Sequence, residues 1–99
     1  MIVWLLLLAG LGSTPKSHTV EIRGMEFHPA VLTVAVGDTI VWINRDIVPH
    51  TATGMRRKWD SGQLQQGDSG RYVPSRVGRV PYTCTLHPTM KGMLIVRKE

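Results

Sequence analysis

The segment "CTLHPTM", residues 84 to 90, holds the chain's only cysteine, Cys84, followed by His87 and Met90 at successive intervals of three. Thiolate, imidazole and thioether each offer a lone pair to a soft or borderline metal. One Cys and two His in a plane, with a long, weak axial Met, is the ligand set of mononuclear copper sites that exchange electrons. The loop supplies one imidazole, so a second must come from elsewhere. Four histidines are available: His18, His28, His50 and His87. His50 lies in "VPHTAT", directly after the apolar run "TIVWIN", where Pro49 holds the preceding chain extended. If that run and "RVPYTC" are strands that finish at one end of a layered fold, His50 can reach the loop.

Other chemistries fit the same residues less well. A Cys–His nucleophile needs an orienting Asn or Asp and an oxyanion hole, usually with the Cys opening a helix, and no helical period follows Cys84. Zinc uses Cys and His, but a thioether is a poor zinc partner and a second thiolate or carboxylate is missing from the loop. Taken alone, a cysteine near a histidine is more often a buried small hydrophobe. The methionine at the matching offset and the distant Pro49–His50 pair are what separate this pattern from that one.

The elements that must position these donors are strands. From His18 onward the dominant period is two, punctuated by glycine and proline. "HTVEIR" turns Val20 and Ile22 inward, and "VLTVAV" puts either Leu32, Val34 and Val36 or Val31 and Thr33 on the buried face. "TIVWIN" is nearly all apolar, as expected of a strand covered on both sides, with Trp42 in the core. "VGD" at Val36 to Asp38 predicts a tight turn joining the last two, with Gly37 at positive φ. The stretch from Arg45 to Gly70 has weak periodicity and reads as loops and short edge strands, in which Trp59 covers a sheet edge or sits at the surface. "RYVPSR", "RVPYTC" and "GMLIVRK" then give three more strands. Roughly six to eight short strands, with turn signals about every 8–12 residues, predict an all-β sandwich or small barrel.

Ninety-nine residues allow one domain. The first dozen, "MIVWLLLLAGLG", are apolar and uncharged, and as a helix would span ~18 Å, short of the ~30 Å hydrocarbon core. With the small residues after them, residues 1–14 read as an export signal or an N-terminal membrane-associated segment, and residues 15–99 as the domain. A periplasmic or otherwise extracytoplasmic location is therefore expected, with membrane attachment only through the N-terminal segment. A single cysteine allows no internal disulfide, so a bound metal is one means of stiffening so small a core. The net charge of +5 lies wholly outside the apolar leader and concentrates at Arg56 to Lys58, Arg71, Arg76 and Arg79. That favours acidic partners. It does not favour nucleic acid, because the basic residues are not interleaved with stacking aromatics.

The runs "MEFHPAVLTVAVGDTIVWINRDIVPHTAT", "YTCTLHPTM" and "GMLIV" together resemble the cupredoxins of the plastocyanin and azurin superfamily, and most of all the amicyanins, whose loop has the same Cys-x-x-His-x-x-Met spacing. The likeness spans residues 25 to 96. It implies a cupredoxin-like Greek-key β-sandwich and one copper ion cycling between Cu(I) and Cu(II). It also implies His50, Cys84 and His87 as ligands, with Met90 as the axial thioether in preference to Met93, whose alternation with Ile95 suits a strand. A monomeric, non-enzymatic electron carrier between redox partner proteins follows, and a copper transport or storage protein is the alternative.

The resemblance assigns further roles. The Thr51 amide would donate to the Cys84 sulfur, although its hydroxyl would not brace the loops as the Asn of many relatives does. Asn44 would tie adjacent loops together, and Pro81 would force an edge, a bulge or a missing ladder bond. His87, with Pro88, Thr89 and Met25 around it, would form the exit for the electron, and could take a proton at mildly acid pH in the reduced state. His28 and His18 are expected at the surface, and Met25 and Met55 in packing or surface roles.

Overall fold

The computed structural model describes residues 14–98. The expected export or membrane-associated segment, residues 1–14, falls almost wholly outside them. Among the described residues no helix is long and apolar enough to cross a membrane. The described residues form eight strands, β1 Ser17–Arg23, β2 Glu26–His28, β3 Val31–Ala35, β4 Thr39–Asn44, β5 Thr53–Gly54, β6 Ser69–Tyr72, β7 Gly78–Thr83 and β8 Lys91–Arg97, and β1, β4, β6 and β8 alternate in burial as the period of two requires. The eight form two four-stranded sheets, ordered β2-β1-β4-β6 and β3-β8-β7-β5. Both are mixed, since β1 lies parallel to β4 and β3 parallel to β8.

Between the sheets, Val20, Ile22, Phe27, Ile40 and Trp42 face Val34, Tyr82, Leu94 and Val96, all buried. Each such side chain contributes about 1.5–3 kcal/mol on leaving water. Aromatic rings fill the widest part: Tyr82 meets Phe27 edge-on at 4.7 Å, and Trp42 at 5.2 Å. Trp59 stacks on Tyr72 at 4.1 Å and on Trp42 at 5.3 Å, closing the edge between the layers. Gly92 lies opposite Tyr82 in the ladder, and a Cβ there would overlap the phenol ring. The register of β8 against β7 therefore depends on a residue without a side chain.

Three expectations are corrected by this packing. The turn at Gly37 forms, with φ of 92° and an Asp38 N–H to Ala35 carbonyl bond of 3.0 Å. Yet β3 and β4 do not pair; the turn carries the chain from one sheet to the other. The reason is that Val34 and Ile40 each need an apolar partner across the core, which opposite layers provide and a hairpin would not. "TIVWIN" is buried on one face only, with Thr39, Val41 and Ile43 half-buried, because among the described residues no third layer covers the outer side of the sheet. His18, expected at the surface, lies within β1 with its ring 2.8 Å from Asp38 and its side chain only 23% exposed. Pro81 sits where the very short β5 has already ended, so its missing N–H interrupts no ladder with that strand.

Asp38 binds three segments at this turn. Its carboxylate accepts the Lys16 amide at 2.9 Å, the Ala35 amide at 3.0 Å and the His18 ring at 2.8 Å. The two backbone amides and then the imidazole stabilise the carboxylate and pull its pKa down to about 2. An acid depressed in the folded state, against ~3.9 unfolded, adds stability that is fully present above that value and is lost as pH falls towards 2. Asp38→Ala is expected to destabilise the fold by about 2 kcal/mol at neutral pH. Its urea midpoint should fall less than that of the parent between pH ~4 and ~2. Parallel losses in both proteins would contradict this role.

Candidate metal centre

The spacing of "CTLHPTM" becomes geometry through two consecutive turns. The His87 amide donates to the Cys84 carbonyl at 3.2 Å, and the Met90 amide to the His87 carbonyl at 2.9 Å. The Cys84 amide donates in turn to the Met90 carbonyl at 3.2 Å, which closes the loop on itself. An interval of three residues is the span of one β-turn. Cys84, His87 and Met90 are thus the corner residues of a doubly turned loop. Cys84 and Met90 are buried; His87 is half-buried.

His50 arrives from the other sheet. After β4 the loop of residues 45–49 is held by Asn44, whose amide nitrogen donates to the Val48 carbonyl at 2.9 Å and the Leu64 carbonyl at 2.8 Å. The Asn44 side-chain oxygen accepts the Asp46 amide at 2.9 Å, so the group is satisfied at both ends. Beyond His50 the chain joins the second sheet as β5, where Thr53 pairs with Thr83 and Gly54 with Tyr82. That pairing, one residue from Cys84, delivers His50 to the loop.

The ligating atoms of His50, Cys84 and His87 all lie within 4.8 Å of one another. Both imidazole Nδ1 atoms are 3.8 Å from the Cys84 Sγ. Bonds of ~2.3 Å from sulfur and ~2.05 Å from nitrogen to one metal ion are compatible with separations of this size, so the three donors could hold a single ion between them. Met93 lies in β8, paired with Val31 and Pro81, apart from the loop. His18 is engaged by Asp38, and His28 by Glu26 at 3.3 Å; neither joins the cluster.

Around the sulfur, the Thr51 amide donates to Sγ at 3.3 Å. The Thr51 hydroxyl also braces the two loops, contrary to expectation. It accepts the Thr85 amide at 2.9 Å and lies 2.9 Å from the Thr53 hydroxyl and 3.2 Å from that of Thr85. Three neighbouring hydroxyls do the work of a side-chain amide.

Sequence reasoning missed Asp46. Its carboxylate lies 2.9 Å from Nε2 of the fully buried His50 and accepts the Gly24 and Met25 amides at 2.8 and 2.9 Å. Partial burial pushes the acid up, but the Met25 amide, the His50 ring and the Gly24 amide outweigh it and hold it below the usual carboxylate value. An ionised carboxylate only accepts, so Nε2 carries the hydrogen and Nδ1 turns its lone pair towards the sulfur. An acid four residues before a ligand histidine was the available signal, but only the loop's path shows that it curls back.

No protein-family model matches the chain. Amicyanin from Paracoccus denitrificans is 32% identical over 82 residues, covering 78% of this chain and 63% of that protein. The chain thus spans somewhat under two thirds of that relative's length. A Cu(I) amicyanin variant superimposes with a TM-score of 0.74 at 26% identity, covering 90% of this chain and 88% of the other. The purple cupredoxin from Nitrosopumilus maritimus gives 0.75 at 26% identity over 81% of this chain and 99% of its own. The chain is a cupredoxin, most like amicyanin. A copper-containing nitrite reductase from Thermus scotoductus also gives 0.75 at 27% identity, but this cupredoxin covers only 24% of that enzyme. The shared part is a single cupredoxin unit.

Removing the carboxylate behind His50 should loosen its ring without touching a donor atom. Asp46→Ala is expected to weaken metal binding about 10- to 100-fold in competition with a chelator. An unchanged affinity would leave Asp46 a purely structural loop residue.

Proposed function

We propose that this cupredoxin is a type 1 copper protein that passes single electrons between partner proteins outside the cytoplasm. His50, Cys84 and His87 would be the equatorial ligands and Met90 the axial thioether. The observation that carries the reading is the convergence of the donor atoms of His50, Cys84 and His87 within 4.8 Å of one another, both imidazoles 3.8 Å from the sulfur. Copper, when bound there, supplies a one-electron Cu(I)/Cu(II) couple.

What the chain's own residues contribute is a frame that holds still. The turns at Cys84 and His87, the Asn44 bridges and the Asp46–His50 bond tie each donor to backbone independently of the metal. Little rearrangement then accompanies a change of charge at the site. The Thr51 amide on the sulfur and the apolar surroundings set the potential.

His50 and Cys84 are fully buried, whereas His87 is half-buried, so His87 offers the route to the surface. Around the loops that carry the two histidines, Ile47 (83% exposed), Val48 and Leu86 leave large apolar side chains in water. Met25 and Thr89 line a shared hollow of ≈ 430 Å³ beside Met90. This apolar end suits brief contact with a redox partner through a small interface. Burial of three of the four donors, His50, Cys84 and Met90, also disfavours the copper-transport reading, which calls for an open site that exchanges its ion. Residues 15–99 make up the working domain in this reading, and the apolar leader supports export.

Adding Cu(II) to the purified protein should give an intense blue colour and a reversible couple, and Cys84→Ser should abolish the colour. Met90→Leu should keep the colour and raise the potential, because the oxidised ion loses more from the missing donor. Met93→Leu should change neither. A colourless parent protein, or an effect of Met93 in place of Met90, would overturn the ligand assignment.

A further inference from the structure

The positive charge does not surround His87. Four of the chain's twelve lysines and arginines line one groove of ≈ 670 Å³ on a different surface. Arg56 and Lys58 stand on one side, on the turn that follows β5. Arg76 and Arg79 stand on the other, in and just before β7. No acidic side chain lines the groove, and among the described residues none of the four cations is ion-paired. Arg57, between the first two, does pair with Asp60 at 3.7 Å. Along the groove Met55 and Val77 are 59% and 63% exposed. Seven residues of β-chain from Gly78 to Cys84 separate the groove's far end from the sulfur, roughly 20 Å.

We infer that this groove is a second docking surface, which receives a carboxylate-rich segment of an acidic protein partner. Charge complementarity selects the occupant. Each cation is exposed, and a single exposed ion pair contributes little. A small anion touching one or two of them would be held weakly. A chain carrying several carboxylates engages both sides at once, while Met55 and Val77 cover its stem. Nucleic acid is the less suitable polyanion, because Trp59 already stacks on Tyr72 and Trp42 and is not free to receive a base. The acidity of the occupant rests on the groove itself; that it is a redox partner rests on the electron-carrier reading. Such a surface would gather the partner by charge and leave the apolar end for close contact.

The test uses the copper-loaded, reduced protein and a Glu-rich peptide, followed by amide shifts in ¹⁵N spectra. The peptide is expected to shift Gly78, Arg79, Lys58 and the Trp59 indole N–H. The Arg76→Glu/Arg79→Glu double variant should bind it roughly tenfold or more weakly, with an unaltered visible spectrum when oxidised to the Cu(II) form. Equal affinity in that variant, or shifts centred on Lys16, Arg97 or the His87 loop, would overturn the inference. Tighter binding of a single-stranded oligonucleotide in the same groove would overturn the choice of a protein partner. A blue protein that ignores the peptide removes this surface alone; a colourless protein that binds it supports the groove and removes the electron-carrier reading alone.

Discussion

The metal centre depends on one crossing of the chain between sheets. β4 belongs to the first sheet and β5 to the second, and His50 lies on the passage between them. Two residue pairs, Thr53 with Thr83 and Gly54 with Tyr82, anchor the arriving chain beside Cys84. A slip of one residue would turn the Thr51 amide away from the sulfur and carry the imidazole with it. So short a ladder specifies register weakly by itself. The hydroxyls of Thr51, Thr53 and Thr85 add the remaining constraint, because their mutual contacts exist in one alignment only.

Backbone hydrogen bonds shape the ligand loop, and this separates geometry from surface. Leu86, Pro88 and Thr89, which lie between the donors, are exposed and make none of the loop's closing bonds. Their side chains can change what the apolar end presents without moving Cys84 or His87. Polar satisfaction holds the passage through residues 45–49 in place: Asn44 and Asp46 between them occupy five hydrogen-bonding groups of neighbouring segments. Asn44 is fully buried, and a buried group of this kind costs about 1–3 kcal/mol when left unpaired, so its two bridges resist loosening.

Charge and apolarity occupy different surfaces. The basic charge was expected to favour acidic partners; four of the cations gather beside Trp59 and β7, away from His87. Composition carries a sum of charge with no position. In the structure, the aromatic stack that closes the sandwich edge also sets where the basic turn at Arg56 can lie, since Trp59 anchors its far end.

The local pattern alone determined much of this protein: the period of two, the inward Val20, Ile22 and Trp42, the turn at Gly37, and the three donors within one loop. Each depends on neighbours a few residues apart, where side-chain direction and turn chemistry are set by the backbone. The pairing of β3 with β8 and not with β4, the contact of His18 with Asp38, and the carboxylate of Asp46 behind His50 were decided by tertiary structure. Those depend on which apolar faces meet across the core and on how a loop returns. Burial couples residues far apart in the chain, and no local spacing encodes that coupling.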